Sequence, residues 1–405
     1  MISAQGPVNR SMGGAGTAAP LEAIGSLYWN PASITALPSS ELGFGSALVL
    51  PSLETDSSVP FLGAGSTRAE PGVTAVPTIG WVHQIECSPI SVGLGLYGAA
   101  GFRTNFPASA TNPIFAPQQN DPMIPGGLGR VYSEASFIEI IPTVAYQVTD
   151  RLSIGAGPTL TLGELVVDPL LATAPNDADG SMIPRYPSGR GVRTHWGGGI
   201  QLGAYYETEQ GVHLGATWKS PQWMETFRFQ TEDELGLPAV GRFDLDLPMI
   251  VSLGAAYSGW ENWVFSADLR YLDYENTDGF ERSGYNPDFS VAGLGWKSVF
   301  ALATGVQRQV NEDLYLRAGY TFNENPIPES LAMFSVPAPL FYQHEFHAGT
   351  SYRLFQEVWF NLAYSYFLEN EISGPIILPS GAIPGSNVTS RLSVHVLDFG
   401  ISVRY

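Results

Sequence analysis

Apolar and polar side chains alternate along most of this chain, from about Glu41 to the C-terminus. In the last segment Leu397, Phe399, Ile401, Val403 and Tyr405 are apolar, and Asp398, Gly400, Ser402 and Arg404 stand between them. A period of two sends successive side chains to opposite faces, so the segment predicts a β-strand with one greasy face and one small or polar face. Val358 to Tyr366, Leu314 to Phe322 and His195 to Tyr206 follow the same rule. Such two-faced strands suit a sheet set between a lumen and lipid. The alternation falters at Val396 and Leu397, where two apolar neighbours predict either a bulge or an apolar patch inside the lumen.

The connections between these runs fall into two classes that alternate along the chain. Short turns lie near Glu86 to Pro89, Thr149 to Arg151, Glu207 to Gly211, Ser258 to Asn262, Asn311 to Asp313 and Phe355 to Glu357. Long loops lie near Pro51 to Thr74, Asn105 to Arg130, Pro169 to Val192, Thr231 to Arg242, Asn276 to Gly293, Asn323 to Leu340 and Ser373 to Ser390. Short turns on one side and long loops on the other are the known asymmetry of outer-membrane barrels, and the count implies about fourteen strands. An even number closes the sheet with both ends on one side, and closure leaves no unpaired edge in lipid. The expected fold class is therefore all-β: a transmembrane antiparallel β-barrel. A soluble sandwich does not normally reach this length or sort its turns by side, and no fixed repeat marks a solenoid.

Composition supports the same class. Only 14% of the side chains are charged while 12% are aromatic, against roughly 25% charged in a soluble domain. The mean hydropathy of +0.04 is too low for a bundle of membrane helices. The most apolar uncharged stretch, Ala23 to Ser40, is broken by Pro31 and Pro38, which do not sit well inside a helix. The net charge of −19 leaves no basic stripe for nucleic acid. One cysteine, Cys87, gives no disulfide framework and no thiolate metal site. No cofactor is expected. The first residues show neither a basic region nor an apolar core of a signal peptide, and the barrel pattern favours an export signal already removed.

Residues 1–40 do not alternate. A Gly- and Ala-rich segment this short cannot build its own core and needs a surrounding wall, which a barrel lumen supplies. Here the order Asn9-Arg10-Ser11-Met12-Gly13-Gly14-Ala15-Gly16, then Tyr28-Trp29-Asn30-Pro31-Ala32, then a first strand near Glu41, resembles the FadL-type family of outer-membrane transport proteins. Phe137 to Tyr146, running through a short turn into Leu152 to Gly157, looks like that family's fourth and fifth strands. The resemblance implies a monomeric fourteen-stranded barrel over 41–405, a lumenal hatch over 1–40, and passive transfer of hydrophobic small molecules such as long-chain fatty acids or aromatic hydrocarbons. It implies an outer-membrane location, with membrane lipid as the other partner.

The resemblance also assigns candidate residues. Asn30, Pro31 and Ala32 match the hatch motif; they either pin the segment to the wall or take part in gating. A kink in the third strand, where the family releases ligand sideways, falls at Gly98, Gly101 and Phe102, although glycines there also serve ordinary barrel curvature. The loop beyond holds Phe106, Ile114, Phe115 and Met123, an apolar landing surface for ligand unless these residues pack on one another. A fatty-acid carboxylate would want a cation, and Arg193, Arg228, Arg270 and Arg317 are the candidates.

Enzymatic chemistry finds little material. His344 and His347 lie three apart and face opposite sides of a strand, so they do not converge on a metal. Glu345 and His347 are expected to share the lumen, as are Asp268 and Arg270. No nucleophile elbow, phosphate loop or zinc helix is present. Ser393 and His395 share a face of the last strand, which keeps a lipase-like barrel as a rival; a hydrophilic porin is another, but a plug would block it.

Overall fold

The structure is a computed structural model describing residues 4–118, 126–189 and 193–405. Fourteen antiparallel strands close into a barrel. In chain order they are β1 (Glu41–Val59), β2 (Thr74–Gln84), β3 (Ile90–Phe106), β4 (Val131–Gln147), β5 (Leu152–Asp168), β6 (His195–Glu207) and β7 (Val212–Lys219). There follow β8 (Met249–Tyr257), β9 (Trp263–Asp273), β10 (Val299–Asn311), β11 (Leu314–Asn323), β12 (His344–Arg353), β13 (Val358–Gly374) and β14 (Asn387–Arg404). Each strand pairs with the next. The seam closes between β1 and β14, in register from Glu41↔Arg404 to Ser58↔Asn387.

The pleat separates two environments. Outward residues such as Phe44, Leu94, Ile154, Leu202, Leu253, Leu316, Phe360 and Ile401 are large, apolar and exposed. A band of this extent is unsuited to water and suited to lipid. Inward positions such as Thr55, Thr161, Gln201, Ser252, Ser365 and Asp398 are polar and buried. The Val396–Leu397 irregularity resolves as an apolar lumenal patch: register is continuous through both residues, and Leu392, Val394 and Val396 all point inward and are buried. The real irregularity lies on the neighbouring strand, between Phe367 and Asn370 of β13.

Several strands outrun the expected spans. About 9–11 residues cross a bilayer, yet β1 has 19 residues and β3, β4 and β5 have 17 each. Most of the loop expected at 51–74 is strand: β1 continues to Val59 and pairs with Gly63–Arg68. The outer connection between β7 and β8 likewise carries a hairpin, Phe227–Glu232 against Pro238–Phe243.

The N-terminal segment lies inside the barrel, with nearly every described residue buried. It contains α1 (Pro7–Ser11), α2 (Ala23–Trp29) and a 3-10 turn over Pro31–Ala36. Both Pro7 and Pro31 stand in the first turn of their elements, where the missing N–H costs nothing. Glu22 caps α2 by accepting from the Ile24 and Gly25 amides at 2.7 and 2.6 Å, satisfying donors that a helix start leaves open. Glycines on the inner wall make room for it. A Cβ on Gly80 would lie 2.8 Å from the Ile24 backbone, and one on Gly155 would lie 2.5 Å from the Ala32 amide.

Candidate functional site

Charged and polar wall residues hold the N-terminal segment at several heights. Asp268 accepts from the Gly16 amide, the Thr17 amide and the Thr17 hydroxyl at 2.9, 3.0 and 2.8 Å. Arg270 pairs with Asp268 at 2.9 Å, donates to the Gly14 carbonyl, and lies over the Trp29 ring at 3.3 Å from its centroid. Arg10 pairs with Asp398 at 2.8 Å, both side chains being buried. Removing one member of a buried pair typically costs about 3–5 kcal/mol, so these contacts fix the segment firmly.

Asn30 joins three parts at once. Its side chain accepts from the Ala32 amide at 3.0 Å, and donates to the Thr17 carbonyl at 2.7 Å and to the Ala204 carbonyl of β6 at 3.0 Å. Any side chain on Gly203 would run into Asn30 and Pro31. The motif's position is that of a pin between segment and wall.

Above this floor sits an apolar cavity of about 160 Å³. Tyr28 of the N-terminal segment contributes to its floor, while Phe102, Phe137, Phe229, Tyr274, Phe280, Trp296 and Phe334 are among its lining. Tyr274, Phe280 and Trp296 pack mutually with ring centroids 4.9–5.2 Å apart. Lys219 and Glu139 also line it, their charged atoms 2.9 Å apart. Sequence reasoning missed both. The available signal was that Lys219 is one of two lysines in the chain and, by parity with Thr217 and Gly215, faces inward.

Beside this cavity the β2–β3 ladder is interrupted. The β2–β3 ladder runs from Gln84↔Ser91 to Thr78↔Tyr97 and stops. Thr74–Pro77 continue pairing with β1 alone, and Gly98–Phe106 with β4 alone. A register shift between Gly98 and Ala100 marks a bulge at the point of divergence. Higher up, the Glu70 amide donates to the Asn105 carbonyl at 2.8 Å and rejoins the two sides. Two backbone groups at the break are provided for. Pro77 brings no N–H, and the Gly98 carbonyl accepts from the Gln5 side chain at 3.0 Å. Unsatisfied backbone groups in lipid cost several kcal/mol each, so these features lower the cost of the break in the ladder.

A second cavity, about 310 Å³, occupies this window. Val76, Pro77, Gly98 and the lumenal patch Leu392, Val394 and Val396 are among its lining. Both cavities touch Ala100, Gly101, Phe102, Ala135, Phe137 and Leu340. Of the sequence-selected residues, Gly101 and Phe102 therefore line both cavities, while Gly98 stands at the bulge and lines the second alone.

Other candidates are placed differently. Phe106 and Phe115 stack at 4.5 Å and, with Ile114, are buried in the outer core; these side chains do not present the exposed landing surface expected of them, because they pack on one another. Met123 lies outside the described residues. None of the four chosen arginines lines either cavity. Arg193 and Arg228 are exposed, Arg270 is engaged with Asp268 and the N-terminal segment, and Arg317 donates to Gln307 and Ser351, each at 2.7 Å. Glu345 and His347 do share the lumen, 3.5 Å apart, while His344 is exposed. His395 lies 2.7 Å from the Tyr364 hydroxyl and stacks on Tyr366.

Comparison with known proteins agrees with this geometry. The sequence profile described as "Outer membrane protein transport protein (OMPP1/FadL/TodX)" matches residues 1–405. A long-chain fatty acid transport protein from Salmonella typhi is 22% identical over 376 residues, covering 84% of this chain and 81% of that one. Among solved structures, a Pseudomonas aeruginosa FadL homologue superposes with TM-score 0.74 at 15% identity, covering 100% of this chain and 99% of the other. The Pseudomonas putida toluene transporter TodX gives TM-score 0.70 at 16% identity over 100% and 99% of the two chains. With a barrel shaped for lipid and a family match along its full length, this chain belongs to the OMPP1/FadL/TodX family of outer-membrane transport proteins.

Proposed function

We propose that the protein takes up compact hydrophobic molecules passively and releases them sideways into the outer membrane. Ligand enters between the outer loops, settles in the aromatic cavity above Tyr28, passes Ala100–Phe102 and Leu340 into the window, and leaves into lipid between β2 and β3. The N-terminal segment acts as a hatch, closing the straight path to the periplasm. A greasy molecule gains nothing from that path, since each methylene returned to water costs about 0.8 kcal/mol.

The observation that carries this reading is the end of the β2–β3 ladder at Thr78↔Tyr97 beside two cavities with a common lining. The volume bears on ligand size. An apolar cavity of about 150 Å³ holds a benzene molecule, and the inner cavity is similar at about 160 Å³. That size fits an aromatic hydrocarbon or a short alkyl chain, and a longer chain would extend into the second cavity, about 310 Å³. Filling the passage with Ala100→Trp tests the route. Hydrocarbon uptake by cells carrying this protein as their sole hydrophobic channel is expected to fall at least about tenfold while the barrel assembles; undiminished uptake overturns the route.

A further inference from the structure

Among the described residues, Glu139 and Lys219 are the only charged ones lining the inner cavity. Lys219 Nζ lies 2.9 Å from Glu139 Oε2 and 3.9 Å from the centre of the Tyr28 ring. Both side chains are buried, 7% and 1% exposed. The ammonium is thus held by a carboxylate on one side and an aromatic face on another, in a cavity otherwise lined mostly by Leu, Phe and Ala. An arriving carboxylate would have to displace Glu139 from Lys219 and leave it buried without its counter-charge, a costly outcome in an apolar site. An uncharged hydrocarbon asks nothing of either group.

We propose that the Glu139–Lys219 pair sets the charge class of the ligand, keeping the cavity selective for uncharged hydrophobes by occupying the one cation of its described lining. This rests on the uptake reading above and deepens it. Each residue in isolation would make a different site. Lys219 without Glu139 would attract alkyl carboxylates, and Glu139 without Lys219 would attract alkylammonium ions.

The test uses purified full-length wild-type protein, Glu139→Gln and Lys219→Gln, with propylbenzene, octanoate and octylammonium as probes in calorimetric titrations at pH 7. The readout is the ratio of affinities within each protein, so a general weakening does not register. Wild type is expected to favour propylbenzene over both ions. In Glu139→Gln the octanoate-to-propylbenzene ratio rises at least about tenfold, and in Lys219→Gln the octylammonium ratio rises by a similar factor. Either variant serves alone if the other fails to assemble. Ratios unchanged within about twofold overturn the proposal, as does wild-type preference for octanoate. Folded wild type that binds none of the three overturns the uptake reading itself, a result visible before any variant is made.

Discussion

The Gln5 side-chain amide donates to the Gly98 carbonyl at 3.0 Å, tying the buried N-terminal segment to the residue where β3 leaves its partner β2. A second tie lies one residue away, where the Tyr97 hydroxyl donates to the Ile24 carbonyl at 2.8 Å. The interior segment and the wall opening are thus one hydrogen-bonded unit, and loosening one is expected to loosen the other.

Gln5→Leu removes the first tie while keeping a side chain of similar bulk. A buried neutral hydrogen bond contributes about 1 kcal/mol, so backbone amides around Gly98–Gly101 are expected to exchange with deuterium about fivefold faster. Amides along the β1–β14 seam are expected to be unaffected. Equal rates at both places would show that Gln5 does not support the bulge.

Asn30→Ala deletes three bonds, to Ala32, Thr17 and Ala204. At about 1 kcal/mol each, docking of the N-terminal segment should weaken by about 2–3 kcal/mol. The barrel itself, closed by its own ladders, is expected to keep its heat-modifiable migration on gels. Planar-bilayer recordings are expected to show larger and more frequent openings than wild type. Wild-type conductance from an assembled Asn30→Ala barrel would limit the motif to a local turn.

Much of this arrangement was legible in the sequence because lipid and lumen impose opposite demands on adjacent residues. Leu397, Phe399 and Ile401 alternate with Asp398, Gly400 and Ser402 for that reason, and residues 1–40 stood out by failing to alternate. Legibility ended where the demands did. Beyond the bilayer both faces of β1 are free of lipid, so Pro51 to Val59 read as loop although they continue the strand. For Phe106 and Phe115 a landing surface and mutual packing both stood open, because apolarity in a loop does not reveal which way it folds. Lys219 was missed because its partner Glu139 lies 80 residues away, and only the closed barrel brings them together. Arg270 and Arg317 were correctly lumenal by parity, but parity says nothing of height, and neither lines a cavity.

Glu22 gives the segment a pH dependence. Burial, reinforced by the nearby Glu41 carboxylate, raises its pKa to about 8. The docked form holds this proton more tightly than the undocked form. Docking is therefore strongest below the ordinary carboxylate range, weakens as pH climbs from there to about 8, and levels off above. Exchange of the Ala23–Trp29 amides, corrected for intrinsic rates, is expected to be faster at pH 8.5 than at pH 5. Glu22→Gln should flatten that difference, and a variant with the wild-type dependence would assign the effect to another group.

The central claim is that ligand leaves through the wall between β2 and β3, and a reversible staple across that opening tests it most directly. A Cβ placed on Gly98 would stand 3.6 Å from the Val76 Cβ, within the range of about 3.5–4.5 Å that a disulfide spans. In a background lacking the exposed Cys87, Val76→Cys with Gly98→Cys should oxidise to close the window. Hydrocarbon uptake measured before and after reduction is expected to be abolished in the oxidised protein and restored by dithiothreitol, with each single-cysteine variant insensitive to both treatments. Uptake that continues through a fully oxidised, correctly assembled barrel would contradict the account.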